Sequence, residues 1–256
     1  MPPDPRADGR QADARAAREA LERLLETDAP ALSAGLPAGF ADAVERFVTL
    51  LLGANERLNL TRVVEPDAVA RLHLVDALSA LPLLDERPLD RAVDLGSGGG
   101  VPGIVLALAR PGTSWTRVDA VRKKAAVLVE VTAALGLESV RVLAERAESL
   151  GQDPGWRERA DVVTARACAP LPVLVEYALP LLRVGGRLVA WKGPIGGDEL
   201  AAGSRASATL GGAPAEVRGT GIAALGEHRL VVVDKLRPTP AGYPRRPGEP
   251  SRRPLG

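Results

Sequence analysis

Asp94 stands two residues ahead of a cluster of four glycines, Gly96, Gly98, Gly99 and Gly100. Glycines so spaced let backbone come close to a ligand, and a helix starting just after Val101 offers unpaired N–H groups. Two templates fit. Gly98, Gly100 and Gly103 match G-x-G-x-x-G, a dinucleotide pattern, while Gly96, Gly98 and Gly100 match G-x-G-x-G, a methyltransferase pattern. Asp94 weighs between them. A carboxylate at the strand end repels a pyrophosphate and attracts a sulfonium or ammonium. That favours a nucleoside with a positive centre, such as S-adenosyl-L-methionine. A helix-capping or loop-bracing role is the other reading of Asp94.

Two further carboxylates follow at the ends of later strands. Asp119 closes the second one, where it can accept hydrogen bonds from both ribose hydroxyls or serve as an ordinary polar strand terminus. Ala147 and Glu148 follow the third, where a backbone N–H and a carboxylate could read an adenine edge. Glu148 taken alone reads as a surface residue. Cations sit at the same ends: Arg122, Lys123 and Lys124 after the second strand, Arg166 after the fourth, Lys192 after the fifth. Arg166 and Lys192 are predicted to face the cleft. The Arg122 cluster reads equally as a solvated helix start.

The elements that must position these groups are visible as apolar runs at 91–95, 115–119, 139–143, 161–165, 186–191 and 229–234, with another strand near 214–219. Helical patterns at 102–110, 121–135, 170–183 and 196–211 alternate with them. Such alternation implies parallel strands with helices on both faces. Ahead of the first strand lie three helices, 10–26, one opened by Pro37, and one from Pro66 through Leu81. The chain therefore divides into a disordered start (1–9), a helical extension (10–85), an α/β domain (86–236) and a basic, proline-rich tail (237–256) expected to lack regular structure.

Composition bounds the rest. The 256 residues are 46% apolar, enough for a full core, but only seven are aromatic. A single cysteine, Cys168, and two histidines, His73 and His228, leave no basis for a disulfide framework or a metal site. No apolar run approaches the length of a membrane span, so a soluble cytoplasmic protein is expected. Net charge is +1, yet residues 235–256 carry six cations against one acid. That imbalance reads as a polyanion-binding tail or a solubilising one.

Several stretches, in order from about residue 40 to 235, resemble the bacterial small-subunit rRNA guanine-N7 methyltransferases, RsmG or glucose-inhibited division protein B. They are Asn59-Leu60-Thr61, His73-Leu74-Val75-Asp76, Asp94 to Gly103, Asp119 with Arg122-Lys123-Lys124, Thr164-Ala165-Arg166-Ala167, Trp191-Lys192-Gly193 and Arg229 to Val233. The resemblance implies a Rossmann-like class I methyltransferase with a mostly parallel seven-stranded sheet and an N-terminal helical addition. It implies S-adenosyl-L-methionine as donor and a guanine of 16S rRNA in the small ribosomal subunit as acceptor. From the composition no metal and no membrane partner are expected, and a monomer is expected. By position, the resemblance places cofactor contacts on Gly96, Val101, Ala147, Glu148 and Arg166. Three positions depart from the family: the stretch before Asn59 lacks an aromatic, Ala77 replaces a frequent serine, and Val101 stands where leucine or phenylalanine is usual.

Guanine N7 has an in-plane lone pair and no proton, so attack on a sulfonium methyl needs alignment and charge stabilisation rather than a general base. No assembled acid–base machinery is legible, in keeping with this. His73, three residues before Asp76 on a helix, reads as a structural hydrogen-bonding group ahead of a catalytic one. Asn59 and Thr61 read as caps or as substrate contacts. Few aromatics argue for recognition of folded RNA through its phosphates. A small-molecule methyltransferase, a non-catalytic ribosome-assembly factor and a dinucleotide oxidoreductase are the competing functions.

Overall fold

A computed structural model of the chain describes residues 6–256. Helix α1 spans Ala7–Thr27, so the disorder expected for 1–9 does not hold over 7–9, and residues 1–5 lie outside the described residues. Ala14, Ala17, Leu21 and Leu25, spaced by three and four, give α1 its buried stripe. After the short α2 (Pro30–Ser33), α3 (Phe40–Leu58) buries Phe40, Val44, Phe47, Val48 and Leu51 on one face. Asn59, at φ +47°, ends it in the left-handed conformation that asparagine tolerates.

The third predicted helix is broken into pieces. Helix α4 (Pro66–Val69) is capped by the Glu65 carboxylate, which accepts from the N–H groups of Asp67 and Ala68. A π-helical turn, Ala70–Val75, follows, then α5 (Asp76–Leu78) and α6 (Leu81–Leu84). The wider turn rotates His73 and Asp76 out of an even 3.6-residue register.

Strands β1 (Arg91–Leu95), β2 (Ser114–Val118), β3 (Val140–Leu143), β4 (Ala160–Arg166), β5 (Leu182–Lys192), β6 (Glu216–Gly219) and β7 (Arg229–Asp234) form one sheet in the order β3-β2-β1-β4-β5-β7-β6. The first five run parallel; β7 is antiparallel to β5 and to β6. Helices α7 (Gly103–Ala109) and α8 (Arg122–Leu135) join the N-terminal helices in one core cluster. Helices α10 (Leu171–Ala178) and α11 (Gly197–Leu210) build a second. Between β3 and β4 stands only α9 (Ala147–Gln152). Strand order reverses direction at β1, between β2 and β4, and ligands of open α/β sheets bind outside the carboxyl ends of strands at such a switch point.

The tail is not the loose segment expected. It contains a last turn, α12 (Glu249–Arg252), and packs against α9 and α10. Arg245 clamps the fully buried Glu176 carboxylate with Nε at 2.9 Å from Oε1 and Nη2 at 2.5 Å from Oε2. Arg157 donates to the carbonyls of Thr239 and Tyr243 at 2.7 Å, and Gln152 to that of Pro244 at 2.6 Å. At its root, Lys235 is buried and donates to Leu179 O at 2.6 Å. Two of the six tail cations are thus committed inside the protein, because a buried cation needs partners. Among the described residues no helix is long and apolar enough to cross a membrane.

Candidate active site

The chain leaves β1 at Leu95 and turns through Gly96, Gly98 and Gly100, at φ of +67°, +50° and +94°. The turn hangs from β2. Gly96 and Ser97 both donate to Val118 O, at 2.8 and 3.2 Å. Gly98 donates to Asp119 Oδ2 at 2.9 Å, and Asp119 Oδ1 accepts from Val121 N at 2.8 Å. A Cβ on Gly96 would stand 2.9 Å from Cys168 Sγ, whereas one on Gly98 would meet nothing nearer than Gly96 O at 3.7 Å. The face of Gly98 is open to a ligand, beside a carboxylate that keeps lone pairs free for further donors.

Asp94 does not face that space. Its side chain has no solvent exposure, and the register puts it beside Arg117 of β2 and Thr164 of β4. Thr164 Oγ1 donates to Oδ1 at 2.7 Å, Ser97 Oγ to Oδ2 at 2.6 Å, and Arg117 Nη2 to Oδ2 at 3.3 Å. Arg117 also holds Gly100 O at 3.0 Å. Asp94 thus takes the bracing role that was its other reading from the sequence, with its carboxylate held by Thr164, Ser97 and Arg117. Val101 is likewise a core side chain, 8% exposed, so only its backbone borders the turn.

A cavity of about 180 Å³ continues from Gly96 between Leu95, Val118, Ala147, Glu148, Cys168 and Tyr177. Glu148 is not a surface residue: it is 3% exposed, and its Oε1 accepts from Gly248 N of the tail at 2.7 Å. The cavity pairs apolar walls with the Glu148 carboxylate, with Glu145 and Arg146 also at its border, a lining that suits the flat face and exocyclic amine of an adenine. Burial, with the Asp94, Asp119 and Glu148 charges, pushes the Cys168 thiol up to about 11, so it stays protonated and is no nucleophile.

A polar network joins the π-helical turn and Asp76 to β4 and β5. Arg166 Nη1 donates to Leu72 O at 2.7 Å and lies 3.4 Å from Asp76 Oδ2; its Nη2 is 3.3 Å from His73 Nδ1. Asp76 Oδ1 meets His228 Nδ1 at 2.9 Å, and Trp191 Nε1 donates to Asp76 O at 2.7 Å. His73 Nε2 pairs with Thr61 Oγ1 at 2.8 Å, not with Asp76. Burial, then the Arg166 charge, lower His73 to about 4, so the ring is neutral.

The cations divide differently from expectation. Lys192 Nζ is held by Glu199 Oε1 at 2.8 Å and Ala169 O at 3.0 Å, and Arg166 by the π-helical turn. Their partly buried charges are met by internal partners. Arg122 and Lys123, at the exposed start of α8 and three and four residues after Asp119 in the chain, have no ion pair among the described residues. Asp76, His228, Tyr177 and the tail residue Gly248 were not singled out from sequence; only the His73–Asp76 stretch hinted at the first.

The strand order and the glycine turn define an S-adenosylmethionine-dependent methyltransferase fold. A protein of Methanococcus maripaludis assigned as an S-adenosyl-L-methionine-dependent methyltransferase superposes with a TM-score of 0.55, covering 73% of this chain and 94% of that one at 14% identity. The family model for rRNA small subunit methyltransferase G (GidB) matches residues 41–226. Ribosomal RNA small subunit methyltransferase G of Symbiobacterium thermophilum is 42% identical over 92% of this chain and 98% of its own length. The protein of that name from Deinococcus deserti is 45% identical over 93% and 97%. The chain belongs to this family of methyltransferases.

Proposed function

We propose that the chain transfers the methyl group of S-adenosyl-L-methionine to N7 of a guanine in 16S rRNA of the small ribosomal subunit, in the cytoplasm. The observation that carries the reading is the open face of Gly98, hydrogen-bonded to Asp119 at the sheet's switch point, in a chain of this family.

Asp119 would take the ribose hydroxyls on its free lone pairs. Ala147 and Glu148 would border the adenine, and the Gly96–Val101 backbone the methionine portion. When bound, S-adenosyl-L-methionine supplies a sulfonium methyl open to a lone pair. The chain's task is to hold the base in line, since N7 has no proton to remove. Neutral His73, with Thr61 and Arg166, would fix the wall against which the guanine lies. Arg122 and Lys123 would meet RNA phosphates. All these groups come from one chain, as a monomer requires.

The test is incubation with labelled S-adenosyl-L-methionine and small-subunit particles lacking the modification. One labelled guanine in 16S rRNA is expected. Unlabelled RNA, from protein that binds S-adenosylhomocysteine in a calorimeter, would overturn the substrate. Transfer to small molecules without RNA would favour the small-molecule alternative.

A further inference from the structure

A second cavity, of about 580 Å³, opens at the other end of the sheet, under the amino-terminal ends of β1 to β4. Its cause is the brevity of α9. Six residues of helix leave the β1–β3 face uncovered at this end. Val93, Thr116 and Arg141 are register partners on adjacent strands, so they share that face. Trp156 walls the cavity, with the Arg141 guanidinium 6.0 Å from its ring centre. Arg91 and Arg159 border it too, and Glu138 is the one acid that does. Among the described residues the three guanidinium groups have no carboxylate within ion-pair distance, unlike Arg117 and Arg245.

Three uncompensated guanidinium forks beside an indole match a ligand with a phosphate and a flat ring. The volume lies within the range of small-ligand sites. A five-residue strand, about 16 Å long, separates it from the glycine turn, so it is not part of the donor cleft. We propose that this cavity binds a nucleotide, its phosphate on Arg91, Arg141 and Arg159 and its base against Trp156. The nucleotide is either free or one unpaired residue of an RNA; only the second source rests on the methyl-transfer reading.

The experiment is calorimetry on the full chain with its donor site saturated by S-adenosylhomocysteine. Guanosine monophosphate, guanosine, inorganic phosphate and an unstructured RNA octamer are titrated separately. Saturable binding of the monophosphate, about tenfold tighter than of guanosine or phosphate, is expected. Arg141→Ala with Arg159→Ala weakens it about tenfold and leaves S-adenosylhomocysteine affinity unchanged; Glu138→Gln strengthens it. An octamer that outcompetes the monophosphate and loses affinity in the same double variant identifies RNA as the source; the reverse order identifies a free nucleotide. No saturable binding of any probe at millimolar concentration, or binding indifferent to both sets of substitutions, overturns the proposal. Failure to bind S-adenosylhomocysteine would instead count against the methyltransferase reading.

Discussion

Arg117 Nη2 and Asp94 Oδ2 meet at 3.3 Å across β2 and β1, and neither side chain is exposed. The pair lies directly beneath the glycine turn, with the Arg117 guanidinium packed on Gly103 and bonded to Gly100 O. Its Nε and Nη1 have no partner among the described residues. The turn therefore rests on a buried ion pair that is only partly satisfied.

Asp94→Ala leaves Arg117 charged and unpaired in the core. A loss of about 3–5 kcal/mol is expected in urea unfolding, and the double variant with Arg117→Met should recover most of it, since a buried pair is commonly replaceable as a unit. A loss below about 1 kcal/mol, with donor affinity alone reduced, would restore Asp94 to the ligand.

Gly98→Val tests the open face. At φ +50° a β-branched residue costs about 1–2 kcal/mol, and its side chain would project where a ligand approaches. Binding of S-adenosylhomocysteine should fall by more than about tenfold in calorimetry while the circular dichroism spectrum is kept. Unchanged affinity would move the donor elsewhere.

Arg245→Ala strands the Glu176 carboxylate, which has no exposure, and frees the tail from α10. Stability should drop by about 3–5 kcal/mol. Donor affinity should fall as well, because the Gly248 N–H no longer positions Glu148. Arg246→Ala, on an exposed neighbour, is the control and should change neither.

His73 predicts a dependence on pH. Its folded value is lowered to about 4 from 6.5, so between those values the unfolded chain binds the extra proton and stability rises with pH. Acidification from pH 7 toward 4 should remove up to about 3 kcal/mol through this group. Asp161, Glu199 and Asp234 act in the same sense at lower pH: burial would raise them, but their arginine or lysine partners outweigh it and hold them low. Their stabilisation is present above their unfolded values and fades as pH falls through the folded ones. Comparing His73→Gln with the parent at pH 7 and pH 5 isolates the histidine; parallel losses would show that it titrates normally.

Replacing Arg122 and Lys123 together with alanine should weaken binding to small-subunit RNA and flatten its salt dependence by about one unit of slope per lost phosphate contact. Equal slopes would leave both residues as a solvated helix start.

The sheet was legible because its central strands β1, β4, β5 and β7 are mostly buried and so read as apolar runs between glycine junctions. The turn was legible from glycine spacing. What surrounds them was not. Helix α9 is six residues long and contains Gly151, too short for a periodicity to show. The π-helical turn hides because one extra residue per turn leaves no compositional mark. The burial of Asp94 and Glu148 was hidden for the same reason as the docking of the tail. Their partners, Arg117, Gly248 and Glu176, lie 23, 100 and 69 residues away in each pairing, and only tertiary structure brings them together. Six prolines after Arg237 do prevent regular structure over most of the tail, yet they do not prevent it from docking.

The docking of residues 239–248 on α9 has a consequence for biosynthesis. In chain order Arg245 and Gly248 follow every strand of the sheet, so the strands are synthesised before the residues that complete the wall beside Glu148. Until then a newly made copy can form its strands yet still lack a finished pocket for its donor.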